Sequence, residues 1–429
     1  MITLDDCRAM DAADALAPLS HLFALPQGVV YLDGNSLGAL PRSTAARVAD
    51  VVTRQWGDGL IGSWNTAGWI DLPQRVGDKI ARLVGAGSGE VVATDSTSVN
   101  LYKVLSAALD LAARQYPGRK VILSERSNFP TDLYTAQSLC SARGLELKLV
   151  DAAEILAALD TSVAVLMLTH VNYRTGAMHD MKATTAAAHS AGVITVWDLA
   201  HSAGAVPLDL RAADADFAIG CGYKFFNGGP GAPAFVWVNS RLVNDTTQPL
   251  AGWWGHASPF EFSTGFRPSP GITRYLCGTQ PMLALAALDC GVDTLLAAEP
   301  FGGMAAIRSK SLALTDLFMA LVEARCSGHG LGLVTPRDHT SRGSQVSFSR
   351  AEGAYAIVQA LIARGVIGDF RAGEAGQGGT AASEDILRFG FTPLYLRFED
   401  VWNAVDHLRD VLQSGEWQRS EFKRKQAVT

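Results

Sequence analysis

The 429 residues hold six cysteines (Cys7, Cys140, Cys221, Cys277, Cys290 and Cys326), and no two of them form a CxxC pair. Their irregular spacing argues against a structural zinc site, and fits buried thiols in a reducing cytoplasm better than a disulfide framework. Long apolar runs are also missing, since none approaches the roughly 20 residues that span a bilayer. The first residues, MITLDDC, lack the basic-then-apolar order of a signal peptide. Positive charge is in short supply: 36 Lys and Arg face 42 Asp and Glu, a net charge of −6, and the cations are scattered. A basic face for nucleic acid is therefore not expected. No internal repeat is present, and no strand-like run is followed by GxGxxG, which argues against a nicotinamide-binding Rossmann enzyme. The expectation is a cytoplasmic protein that engages neither membrane nor nucleic acid and binds no metal.

What the chain does have is a large apolar fraction, 48%, against 18% charged residues. With this length, that supports a large domain plus a smaller one. Strand-like runs at VVAT, KVIL, LELKLV, VAVLMLT, VITVWD, DFAIG and AFVWV alternate, in the earlier part, with helical stretches. Such β-α alternation predicts an α/β fold with a mainly parallel sheet between helices, ligands binding at the C-terminal strand ends. The helical run over 304–324 leads to a smaller α+β domain, with strands at SQVSFS and ILRFGF and helices near 355–364 and 401–412. The reading assigns 41–300 to the large domain, and 1–40 with 301–429 to the small one. Residues 371–385 read as a small-residue loop, and the charged tail after Trp417 as frayed.

The chemistry centres on ADFAIGCGYKFFNGGPGAP, residues 215–233, where Lys224 follows a buried-strand pattern and precedes glycines and prolines. Lysine is seldom placed at the mouth of a buried strand unless paired or reactive. At the end of an earlier strand, Asp198 supplies an acid, followed by His201. A strand-end carboxylate and a strand-end lysine are what a pyridoxal phosphate (PLP) site needs: the acid keeps the ring nitrogen protonated and the amine links covalently. Ser96, Thr97 and Ser98 precede a helical pattern, where hydroxyls serve either as ordinary N-caps or, with the free N–H groups, as a phosphate cradle. Asp132 is open to the same N-cap reading, while Phe129 stands where a ring could cover a flat cofactor. Thr97, Phe129, Thr169, Asp198 and Lys224 all fall at or just after strand ends. Trp56, Trp64 and Trp69 lie in or beside a glycine-rich loop, and either pack the core or wall an aromatic pocket.

These blocks carry a family resemblance. YLDGNSLG (31–38), SNFPTD (127–132), HVNYRTG (170–176), WDLAHSAGA (197–205), GYKFFNGGPG (222–231) and RFGFTPLY (388–395) occur in order along almost the whole chain. The chain resembles the fold-type I PLP-dependent transferases of the aminotransferase class V-like group, and within them the bacterial kynureninases. The resemblance implies hydrolytic cleavage of L-kynurenine to anthranilate and L-alanine by a homodimer with a shared active site. It makes Lys224 the covalent attachment point and proton shuttle, Asp198 the partner of the pyridine nitrogen with His201 beside it, and Tyr223 a proton donor. Phe129 would stack on the ring, and Pro130, Thr131, Asp132 and Thr169 would line the cofactor. Thr97, Ser98 and Tyr223 would hold the phosphate, with Trp253 and Thr279 reaching in from the neighbouring subunit. Arg388 would fork onto the substrate α-carboxylate, and Trp64, Gly278 and Thr279 would surround the aryl ring.

Two rival readings share the fold. A cysteine desulfurase or selenocysteine lyase usually has His directly before the PLP lysine, whereas Tyr223 stands there, and Cys326 closes a helical run rather than sitting in a catalytic loop. A PLP-fold protein that only binds ligands is argued against by the joint presence of Lys224, Asp198 and Arg388.

Overall fold

A computed structural model describes residues 2–373 and 383–426, so most of the 371–385 loop lies outside the described residues. The chain divides into two units, one of Ser43–Asn172 with His179–Leu296, the other of Met1–Arg42, Tyr173–Met178 and Ala297–Thr429. Tyr173–Met178 thus belongs with the smaller unit, although its place in the chain lies inside the 41–300 span.

The larger unit is built on seven strands in the spatial order Val91–Thr94, Ala234–Val238, Phe217–Gly220, Ile194–Asp198, Val163–Thr169, Val121–Glu125 and Glu146–Val150. Ala234–Val238 runs antiparallel to both neighbours, and the other pairings are parallel. Every residue of six of these strands is buried, and only Glu146–Val150, at one edge, is partly open. Side chains alternate between faces, so complete burial means that both faces are covered; that explains the unbroken apolar runs. The helix Thr97–Gln115 lays Leu101, Val104, Leu105 and Ala108 into this core and packs across four central strands. The helical pattern over 44–56 becomes an α-helix, Arg42–Asp50, continued by a π-helix, Val51–Asp58. Trp56 is exposed there and stands outside the aromatic cluster described below.

The smaller unit has an antiparallel sheet in the order Asp369–Arg371, Asp385–Gly390, Gln345–Arg350, Gly332–Leu333. A parallel pair joins Val30–Tyr31 to Val366–Ile367. Helices Gly303–Arg325, Ala354–Ala363 and Phe398–Ser414 complete it, an α+β layout. The tail corrects the frayed-end expectation as far as residue 426. Phe422 is buried, the Tyr355 hydroxyl donates to the Arg424 carbonyl, and the Gln426 N–H donates back to that hydroxyl. The charged composition hid a single apolar anchor.

Among the described residues no helix is long and apolar enough to cross a membrane, and no group of His, Cys, Asp or Glu is placed to hold a metal. All six cysteines are unpaired, and five are buried.

Candidate active site

The parallel strands of the larger unit bring their C-terminal ends to one rim, and the loops beyond them hold most of the residues singled out above. Thr169 and Asp198 end adjacent strands and are paired in register. Phe217–Gly220 ends beside them and leads through Cys221 and Gly222 to Tyr223 and Lys224. That turn is tight: a Cβ on Gly222 would lie 2.2 Å from the Pro233 carbonyl oxygen. Only glycine lets the two backbones approach so closely and present the lysine.

Lys224 Nζ lies 2.9 Å from His201 Nε2 and 5.6 Å from the centre of the Tyr223 ring. Asp198 is buried, and one of its oxygens accepts from the Ala200 N–H at 2.7 Å. Burial pushes its carboxyl up, against the opposing pull of the Lys224 charge, the Ala200 N–H and a hydrogen bond from Asp132. Asp132, also buried, is driven well above the usual carboxylate range by burial and then by the Asp198 charge. Both carboxyls are thus raised, Asp132 the more strongly, because like charges buried together disfavour joint ionisation. Asp132 sits one turn into the helix Pro130–Arg143, whose N-cap position is Phe129. The plain N-cap reading of Asp132 is corrected, since Phe129 holds that position. Tyr223 is held protonated by burial, so it can donate but not act as a base.

Two groups of residues that sequence reasoning passed over hold this rim in shape. Asn128 Oδ1 accepts from the Phe129 N–H at 2.7 Å and from the Thr169 hydroxyl, while its Nδ2 donates to Ser124 Oγ at 3.1 Å. It thus ties the ends of two strands to the start of the helix Pro130–Arg143. Beneath it, Glu125 accepts from Asn172 Nδ2 at 3.3 Å and from Ser127, and lies 2.8 Å from His179 Nε2. Burial pushes Glu125 up, but those bonds outweigh it and leave the group below its ordinary value. Asn128 lay within SNFPTD and was legible as part of that block. Glu125 and His179 stand 54 residues apart, and no local pattern marks them.

The helix Thr97–Gln115 begins on the same rim. Ser96 is its N-cap and accepts from the Val99 N–H at 3.3 Å, which settles the capping role on Ser96. Thr97 Oγ1 is left buried with no hydrogen-bond partner among the described residues. A buried hydroxyl without a partner costs free energy unless a ligand satisfies it. Beside the amides of a helix N-terminus, that ligand suits an anion such as a phosphate. Gly278 and Thr279 are fastened nearby through Gln280, whose Nε2 donates to the Gly278 carbonyl at 2.9 Å while its Oε1 accepts from Thr94 at 3.0 Å. Trp64 is half-buried, with its ring 4.9 Å from Trp254 and 5.5 Å from Trp69. Trp253 stacks edge-on against Trp254 and Phe260 and remains 38% exposed. Phe129 is 41% exposed.

In the smaller unit Arg388 is buried and heavily engaged. Its Nε donates to Asp369 Oδ1 at 2.7 Å, and its Nη2 donates to Asp369 Oδ2 and, at 2.7 Å, to Ser36 Oγ. Its Nη1 donates to the Tyr173 carbonyl at 2.7 Å. The expected open fork is thus corrected: the Nε–Nη2 edge is filled by Asp369, and among the described residues only one Nη1 hydrogen lacks an acceptor.

The kynureninase C-terminal domain family matches residues 307–408. The kynureninase of Burkholderia pseudomallei (strain 1106a) is 56% identical over 432 residues, covering all of both chains. That of Pseudomonas fluorescens is 55% identical with the same coverage. Among solved structures, a cysteine desulfurase from Thermococcus onnurineus NA1 superposes with a TM-score of 0.76 at 18% identity, covering 92% of this chain and 98% of its own. A C-DES mutant with glycine covalently linked to its PLP cofactor does so with a TM-score of 0.75 at 16% identity, covering 91% and 98%. These low-identity likenesses establish the fold, that of the fold-type I PLP-dependent transferases. Full-length identity above one half establishes more, and the chain belongs to the kynureninase family.

Proposed function

We propose that this chain hydrolyses L-kynurenine to anthranilate and L-alanine with PLP as cofactor. The observation that carries the reading is the set of Lys224, His201, Asp198 and Asp132 on one strand-end rim, in a chain related over its full length to kynureninases. Bound PLP supplies an electron sink for charge that develops at Cα and Cβ of the amino acid. Lys224 would hold the cofactor covalently, and its amine would move the proton at Cα; His201, at 2.9 Å from Nζ, holds the amine in place. Asp198 would hold the pyridine nitrogen, and the raised Asp132 beside it is the better placed of the two to carry a proton. Phe129 covers the ring, with Pro130, Thr131 and Thr169 around it. The unsatisfied Thr97 hydroxyl, with Ser98 and Tyr223, takes the phosphate. Water adds to the γ-carbonyl, the Cβ–Cγ bond breaks, and the protonated Tyr223 phenol is the donor around that carbonyl. Arg388 receives the α-carboxylate.

The protein acts as a cytoplasmic homodimer in which Trp253 and Thr279 complete the neighbouring phosphate site. Support comes from the exposed aromatic surface of the larger unit, where Trp253, Phe260 and Phe262 form a chain of ring contacts. The unpaired thiols support a reducing compartment. A desulfurase reading is disfavoured because Cys326 is buried, its thiol pushed up to about 11, which suppresses the nucleophilic thiolate.

Trp64, Gly278 and Thr279 surround the aryl ring in this reading. An indole wall donates one N–H and accepts nothing, so the hydroxyl of 3-hydroxykynurenine would lose about 1–3 kcal/mol for want of a partner. The expected kcat/KM preference for unsubstituted L-kynurenine is about 5- to 150-fold. Steady-state kinetics with both substrates, following release of anthranilate or its hydroxylated counterpart, test it. Equal values would remove Trp64 from the aryl pocket.

A further inference from the structure

The pairing of Arg388 with Asp369 is built into the sheet. The two residues face one another in register on the adjacent antiparallel strands Asp369–Arg371 and Asp385–Gly390. Both are almost fully buried, with 1% and 2% of their side chains exposed. Asp369 accepts two bonds from Arg388, one from the Ser36 hydroxyl at 2.7 Å, and lies 2.7 Å from Arg371 Nη2. Ser36 closes the ring by also accepting from Arg388 Nη2 at 2.7 Å. Burial pushes the Asp369 carboxyl up, but Arg388 outweighs it and leaves the group lowered. A planar guanidinium gripped along one edge by a carboxylate, and at Nη1 by the Tyr173 carbonyl, cannot rotate.

We infer that Asp369 is a positioning residue for substrate recognition: it fixes the plane of Arg388, ties Arg371 into the same cationic cluster, and leaves a restricted set of Arg388 donors to meet the α-carboxylate. The inference rests on the reading that Arg388 binds that carboxylate. Its physical content is that orientation, not positive charge alone, sets affinity. Asp369 cancels part of the cationic charge, so a purely electrostatic site would bind more tightly without it. A positioned site binds more weakly without it.

The test uses the PLP-loaded enzyme and three variants, Asp369→Asn, Ser36→Ala and Arg388→Lys. KM and kcat for L-kynurenine, the inhibition constant of L-alanine and the thermal midpoint are measured for each. Asp369→Asn is expected to raise KM and the L-alanine constant about tenfold, far more than it lowers kcat. Ser36→Ala, which removes one link and keeps the ion pair, is expected to raise both about threefold, and decides the matter should Asp369→Asn fail to fold. A lower KM in Asp369→Asn, or unchanged KM and L-alanine constants in the folded variants, overturns the inference, a fall in thermal midpoint alone marking a merely structural role. Should Arg388→Lys also leave KM unchanged, the carboxylate reading of Arg388 falls first; should it raise KM while the other two do not, only the inference about Asp369 falls.

Discussion

Asp33 stands in the turn after Val30–Tyr31, with Oδ1 buried and without a partner among the described residues. Burial raises its carboxyl to about 7, the Asp369 charge adds to that, and Arg388 pulls the other way. The native state therefore binds this proton more tightly than the unfolded chain does. The sign follows: native stability falls as pH rises from the unfolded value of 3.8 through about 7. Asp33→Asn removes a group that must ionise in a poor place. It is expected to stabilise the protein by about 1–2 kcal/mol at pH 8, after discounting for partial exposure, and by nothing at pH 4. Urea midpoints of the two proteins at both pH values check this, and a gain equal at both would assign the effect to packing. Nothing in YLDGNSLG signals this behaviour, because the groups that cause it, Asp369 and Arg388, arrive from more than 330 residues away.

At the scale of elements, the sequence was legible where one element carries its own pattern. Thr97, Phe129, Thr169, Asp198 and Lys224 could be placed on one rim because apolar runs mark buried strands and parallel strands share a C-terminal edge. The three-residue strand Asp369–Arg371 was not legible: it is too short for a period, and it exists by pairing with Asp385–Gly390. That is why Arg388 could be named and the residue that grips it could not. His189 and Asp216 give a second example. The last turn of the helix Met181–Ser190 brings His189 Nε2 to 2.9 Å from Asp216, which also accepts from the Thr195 N–H at 2.8 Å. The Asp216 bond raises His189 above its ordinary value; burial pushes Asp216 up, but His189 outweighs it and leaves Asp216 lowered. The raised histidine contributes stability below its unfolded value of 6.5, lost as pH rises through its folded value. The lowered carboxylate contributes stability above 3.8, lost as pH falls through its folded value. His189→Gln is therefore expected to cost about 1–2 kcal/mol between roughly pH 4 and 6.5, and clearly less at pH 9. Urea titrations across that range check it; a cost that does not vary with pH would show that the ion pair contributes nothing.

For the whole molecule, the exposed aromatics of the larger unit bear on assembly. Phe260 and Phe262 are 64% and 77% exposed in the single chain, an arrangement that favours coverage by a partner. The double variant Phe260→Ser, Phe262→Ser is expected to weaken the proposed dimer at least about tenfold, read by sedimentation, and to lose PLP affinity with it, since in the proposed assembly Trp253 and Thr279 complete the neighbouring site. A wild-type protein that sediments as a monomer at micromolar concentration would contradict the shared site. The central claim, kynurenine cleavage through Lys224, is tested most directly by anthranilate fluorescence on mixing the PLP-loaded protein with L-kynurenine, wild type beside Lys224→Arg. The account predicts stoichiometric anthranilate and alanine from the wild type, and a rate lower by about 10²–10⁴-fold or more in a folded variant that cannot shuttle the proton. Near-normal release by Lys224→Arg, or no anthranilate from the wild type, would contradict it.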